Sequence, residues 1–137
     1  MCPLFKPKKG YLYYETPLDK LGLFHKIPPL IYELGYEAGE STSNLIEYKK
    51  GKERIIITYA DNRFEIQYEG KKANSDALKL AQELEGKPAK VFEGIGMSGW
   101  ICTICLEDLR KGKIQDYERF KTKEEALKHI EKMHPET

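Results

Sequence analysis

The chain has 137 residues, 40% of them apolar, 33% charged and 11% aromatic, which fits one soluble domain or one small domain with an appended module. No apolar run approaches the roughly 20 residues that cross a bilayer, and Met1–Gly10 lacks the apolar stretch of a secretory signal, so a cytoplasmic protein is expected. With 23 Lys+Arg against 22 Asp+Glu the formal charge is +1, so no global field selects nucleic acid or membrane and partners must be read from local patches.

The charge is carried by 19 Lys and 17 Glu beside 12 Ile, with three Asn and three Gln. That balance is the one associated with proteins that work hot, and it points to a hyperthermophile or its virus.

Tyr11-Leu12-Tyr13-Tyr14 is rich in strand formers and reads as a first strand. Thr16-Pro17-Leu18-Asp19 then has the form of a helix start, with Thr16 as cap, Pro17 at the first helical position and Asp19 at the positive end. Pro28-Pro29 removes two helical donors, so residues 17–35 are expected as two linked helices. From Asn44 to Glu69 the period changes to two: Ile46 and Tyr48, then Ile55, Ile57 and Tyr59, then Phe64, Ile66 and Tyr68. Lys50-Gly51-Lys52 and Asp61-Asn62-Arg63 supply the turns of an antiparallel meander. Asn74-Ser75-Asp76 can cap a helix whose apolar stripe is Ala77, Leu78, Leu80, Ala81 and Leu84, stopped by Gly86 and Pro88.

The expected fold is therefore α+β. Residues 1–93 form an antiparallel sheet packed by helices in the order β-α-α-β-β-β-α, and a second module occupies 100–137. The intervening Gly94-Ile95-Gly96-Met97-Ser98-Gly99 fits G-x-G-x-x-G, but Trp100-Ile101-Cys102 after it reads as a strand. A phosphate cradle needs a helix N-terminus at that point, so 94–99 is read as a flexible joint. Phe64, Ile66 and Tyr68 could stack bases on an open sheet, but a core face is the simpler reading. His25 stands alone on a helix without a motif, and no nucleophile elbow, P-loop or paired-carboxylate site is present, so no catalysis is expected.

The three cysteines, Cys2, Cys102 and Cys105, are an odd number without an export signal, which argues against a disulfide framework. Cys102-Thr103-Ile104-Cys105 and His129-Ile130-Glu131-Lys132-Met133-His134 together supply two sulfurs and two imidazoles. Two thiolates and two imidazoles fill a zinc tetrahedron and leave no open position for water. A Cys-x2-Cys turn at a hairpin end presents both sulfurs to one point. Histidines with four residues between them can face that point if the last helical turn loosens around His134.

Residues 100–134, about a quarter of the chain, resemble the C2H2 zinc-finger family. Trp100 stands two residues before Cys102, Phe120 nine before His129, and Thr122-Lys123-Glu124-Glu125 has the capping-box form, with Glu125 able to reach back to the amide of the cap. The resemblance implies one ββα unit held by a structural Zn2+ on Cys102, Cys105, His129 and His134. Two departures stand out. Cys105 and His129 enclose 23 residues where the common pattern has about 12, so Leu106–Tyr117 is expected to extend the hairpin and to turn at Lys111-Gly112-Lys113. The usual core Leu is Ala126, with Leu127 and Ile130 filling the gap.

The register of a base-reading finger would aim Thr122, Glu124, Glu125 and Lys128 at bases, and two adjacent glutamates suit that role poorly. A basic ribbon of Arg110, Lys111 and Lys113 at the hairpin tip, with Arg119, Lys121, Lys123 and Lys128 at the helix, could instead follow a nucleic-acid backbone, DNA before RNA. Lys49, Lys50, Lys52, Arg54, Lys71 and Lys72 form similar tips on the first domain. The competing class is a protein-interaction or inhibitor module in which the finger only stiffens a docking surface. A zinc hydrolase ranks third, because four protein ligands leave no labile position. Neither a membrane nor a small-molecule substrate is expected as partner.

Overall fold

The computed structural model describes residues 9–96 and 98–135. The expectations that rest on Met1–Lys8, Met97, Glu136 and Thr137 lie outside these residues. The chain forms two compact units that meet between Lys87 and Pro88. No helix among the described residues is long and apolar enough to cross a membrane.

The first unit runs β1 (Lys9–Glu15), α1 (Lys20–Glu33), β2 (Glu37–Ser41), β3 (Leu45–Lys50), β4 (Glu53–Ala60), β5 (Arg63–Glu69), α2 (Ala73–Glu83) and β6 (Lys87–Pro88). The sheet order is β2-β3-β4-β5-β1-β6, and the pairs from β2 to β1 are antiparallel. The meander expected from the period-two run is β3-β4-β5, with Ile57 opposite both Ile46 and Ile66. Ile55, Ile57, Phe64 and Ile66 are fully buried beneath the helices, so the aromatic run is core and not an open stacking platform. The edge strands β2 and β6 carry no alternating apolar pattern, and nothing in the sequence marks them.

Residues 17–35 hold one helix instead of two. Leu23, Ile27 and Ile31 recur every fourth residue and are completely buried, so one apolar stripe anchors the helix on both sides of Pro28-Pro29. The missing proline donors leave acceptors only at Phe24 and His25, which are exposed to water. Asp19, not Thr16, caps α1 and accepts from the Gly22 amide at 2.7 Å. The Thr16 hydroxyl is buried and donates to the Leu84 carbonyl at 2.7 Å, tying the end of β1 to the end of α2.

Helix α2 also differs from expectation at its start. Asn74-Ser75-Asp76 lie inside it, and Lys72 at the cap position offers no side-chain bond. Glu53 of β4 takes that role, accepting from the amides of Lys72 (3.1 Å) and Ala73 (2.9 Å). Gly70, at φ +123°, lets the carboxylate pass, since a Cβ there would clash with Glu53 Oε2. Asp76 is buried instead and accepts from the Tyr36 hydroxyl at 2.8 Å. Leu78 faces water.

The second unit runs β7 (Val91–Glu93), β8 (Trp100–Cys102), α3 (Thr103–Arg110), β9 (Arg119–Phe120) and α4 (Lys123–Met133), with sheet order β7-β8-β9. At the expected joint, the Gly94 amide donates to the Gly99 carbonyl at 2.9 Å and closes the β7–β8 hairpin. The two strands and the helix of a ββα unit are present as β8, β9 and α4, but their connection is not an extended hairpin arm. Leu106 turns inward from α3, and Lys111-Gly112-Lys113 forms the helix C-cap. Gly112 is left-handed at φ +77°, and the amides of Gly112 and Lys113 donate to Leu109 and Asp108.

Candidate metal centre

Three elements carry the four donors. Cys102 closes β8 and caps α3, Cys105 lies in the first turn of α3, His129 lies in α4 and His134 is its C-cap. The Cys-x2-Cys pair therefore sits at a strand-to-helix junction and not at a hairpin end. The Cys105 amide donates to Cys102 Sγ at 3.4 Å. Thr103 pins the same turn: its hydroxyl donates to the carbonyls of Ala89 (2.9 Å) and Lys90 (3.0 Å), and its amide to Lys90 at 2.9 Å. No sequence signal marked that anchor.

On the other side, Thr122 caps α4, accepting from the Glu125 amide at 3.2 Å, as the capping-box spacing predicts. Glu125 reaches back one residue further than expected, to the Lys121 amide at 3.3 Å. The helix stops at Met133, and His134 adopts φ −135°, ψ 56° while its amide still reaches the Ile130 carbonyl at 2.7 Å. Leaving the helical path is what turns a residue five positions after His129 onto the same side. Phe120 packs on the His129 ring with centroids 5.1 Å apart. Ala126 and Ile130 fill the space beneath, whereas Leu127 is 42% exposed and contributes little to that core.

One ligand atom from each of Cys102, Cys105, His129 and His134 lies within 4.8 Å of all the others, so this group can hold a metal ion. Cys105 Sγ is 3.2 Å from His129 Nε2 and 3.4 Å from His134 Nε2. Cys102 is fully buried, and the other three are half-buried. Burial, then the neighbouring Cys102 sulfur, pushes the Cys105 thiol up to about 11. A cation among the four reverses that tendency, because the ligand form of cysteine is the thiolate. His25 is exposed on α1 beside Phe24 and takes no part.

The basic residues singled out in the sequence are spread along the second unit. Arg110 ends α3, Lys111 pairs with Glu107 at 3.8 Å, and Lys113 is exposed in the loop that follows. In β9, Arg119 donates to the Tyr117 hydroxyl at 3.2 Å, while Lys123 lies over the Trp100 ring at 5.8 Å. Lys121 and Lys128 are exposed. With the expected hairpin replaced by α3, Arg110, Lys111 and Lys113 form a helix end and loop instead of a ribbon tip. Comparison of the chain with protein-family models, characterised proteins and solved structures finds no match.

Proposed function

We propose that the protein is non-catalytic, that its second unit is held by one structural Zn2+, and that it binds nucleic acid, DNA before RNA. The convergence of Cys102, Cys105, His129 and His134 within 4.8 Å is the observation that carries the metal part. In a zinc tetrahedron with sulfur at about 2.3 Å and nitrogen at about 2.0–2.1 Å, the sulfur–nitrogen edge is about 3.6 Å. The contacts of 3.2 and 3.4 Å need only a slight outward shift to match it. Two thiolates favour zinc over hard cations, and four protein ligands leave no position for a reacting water, which supports a structural role. The pairing of β8 with β9 beside α4 also supports kinship in architecture with C2H2 fingers, with α3 as an insertion.

Support for nucleic acid comes from Arg110, Lys113, Lys121 and Lys128, which are exposed on a module whose helix start carries Glu124 and Glu125. That arrangement suits contact with the phosphate backbone and not base reading by α4. Titration with duplex DNA over a salt series tests it: affinity should fall steeply with salt, and Arg110→Ala, Lys111→Ala and Lys113→Ala together should flatten the slope. No binding at low salt would sink the nucleic-acid reading. One observation favours a protein partner instead. Leu21, Phe24 and Tyr32 of α1 are 64%, 51% and 52% exposed at helical spacing, an apolar stripe of the kind that marks docking surfaces.

A further inference from the structure

The two lysine-rich turns of the first unit, separate in sequence, meet at one end of its sheet. Strand register places Arg54 opposite Glu69, so the β3–β4 turn (Lys50–Glu53) and the segment after β5 (Gly70–Lys72) are neighbours. The Glu53 carboxylate bridges them by binding the Lys72 and Ala73 amides, and the absence of a side chain at Gly70 allows the approach.

Three acidic residues of these strand ends, Glu47, Glu53 and Glu69, are already engaged. Glu53 spends both oxygens on the start of α2. Glu69 lies between Lys9 (3.7 Å) and Arg54 (3.8 Å), and Glu47 between Arg54 and Lys49. Glu37 stands opposite Lys49 in the register of β2 and β3. Lys50 is held by the Leu34 carbonyl at 2.8 Å and lies over Tyr36. What projects beyond this neutralised layer is Lys52, Lys71 and Lys72, all exposed. The N-terminus of α2 cannot supply the attraction itself, since Glu53 occupies it, so the positive surface is made of side chains.

We propose that Lys52, Lys71 and Lys72, backed by Lys50, form a second surface that contacts the phosphate backbone of duplex nucleic acid. This inference rests on the nucleic-acid reading above and extends it from the metal-bearing unit to the sheet unit. Lysine heads on flexible stems follow a phosphate backbone without reading sequence. Among the described residues the aromatic ring beside the patch, Tyr36, is buried beneath Lys50 and offers no open face for stacking unpaired bases, which argues for a duplex over a single strand.

The test uses the zinc-loaded full chain, a 20-base-pair duplex, the matching single strand, and vesicles of phosphatidylserine in phosphatidylcholine, each over a salt series. Lys52→Ala, Lys71→Ala and Lys72→Ala together should lower the salt slope for duplex by about 2–3, since each phosphate contact carries about 0.9. By the same relation, affinity at 0.1 M salt should drop by about a hundred- to a thousandfold relative to the 1 M limit. A control triple of equal charge loss, Lys26→Ala, Lys79→Ala and Lys90→Ala, should change the slope by less than about 1. Circular dichroism should show both triples folded, because none of these side chains is buried. Equal effects of the two triples, or loss of binding only in the Arg110→Ala, Lys111→Ala, Lys113→Ala variant, would overturn this inference and leave the nucleic-acid reading standing. A wild type that ignores duplex at low salt, whether or not it binds vesicles, would remove both. Tighter binding to the single strand would overturn the duplex assignment.

Discussion

If zinc holds the second unit as proposed, removing it should unfold that unit and leave the described residues of the first unit folded. In the second unit the described core cluster is Val91, Cys102, Ala126 and Ile130, against sixteen buried residues in the cluster of the first. Val91, Phe92, Ile101, Leu106 and Ile130 are the larger apolar side chains buried after residue 88. At about 1.5–3 kcal/mol each they contribute about 8–15 kcal/mol together. Structural zinc in small modules contributes about 10–16 kcal/mol at neutral pH, so losing the ion removes as much as the whole apolar core supplies. The described part of the first unit should keep its fold, because its core is larger and none of the four donors lies in it. Hydrogen–deuterium exchange read by mass spectrometry follows the two units separately, with the metal content of each sample measured. After chelation, peptides from α3, β9 and α4 should exchange at the rate of unfolded chain while those from β3, β4 and β5 stay protected, and added zinc should restore the first set. If metal-free protein keeps full protection across α3 and α4, the donors are an incidental cluster and the structural role assigned to the ion is wrong.

Cobalt in place of zinc should give the intense visible bands of a tetrahedral thiolate site, and Cys105→Ser should lose much of the sulfur-to-metal charge transfer; bands typical of six-coordinate cobalt would contradict the ligand set. Asp76→Ala strands the buried Tyr36 hydroxyl and should cost about 1–3 kcal/mol in urea unfolding, whereas replacing both, with Tyr36→Phe, should recover part of that loss. Ile27→Ala should destabilise the first unit by about 2–5 kcal/mol, while Leu21→Ala on the wet face of the same helix should stay within about 0.5 kcal/mol. The hydrogen bond from Arg54, with its charge, holds the Glu47 carboxyl below its ordinary range. That contribution is complete above the ordinary carboxylate pKa and disappears as pH falls through the depressed value, so the urea midpoint of wild type should drop toward that of Glu47→Gln on acidification. Parallel pH curves would show that the pair does nothing for stability.

The α+β class, the meander and the four donors were legible because each rests on a strong local pattern: alternation at Ile55, Ile57 and Tyr59, and ligand spacing at Cys102 and His129. The misreadings share one physical cause, which is that a signal with two meanings is resolved only by tertiary contacts. Gly112 between two lysines suits a hairpin turn and equally a helix C-cap, and inward-facing Leu106 decides for the helix. Pro28-Pro29 breaks an isolated helix, but a stripe of three fully buried side chains outweighs the two lost donors. Thr16 has the chemistry of a cap and was diverted by a buried carbonyl 68 residues away. Glu53 does the reverse, capping a helix from a strand 20 residues earlier, which no local window can anticipate.

The same logic explains how 23 residues can separate Cys105 from His129 without loosening the site. A long disordered arm between ligands would raise the entropic cost of closing the chelate ring, although only slowly with length. Here the surplus continues α3, whose first turn, before the surplus begins, already positions the sulfurs. Cys102 accepts from the Cys105 amide, and Thr103 fastens the turn to Ala89 and Lys90. The cysteine pair is thus held by contacts on its N-terminal side, and the helical start of the surplus does not loosen it. His134, at the C-cap of α4, is held by its amide bond to Ile130, by Cys105 Sγ at 3.4 Å and by an edge-on contact with the His129 ring, centroids 5.2 Å apart. Two of those three contacts are with other donors of the cluster, so the placement of His134 and of its partners is mutual.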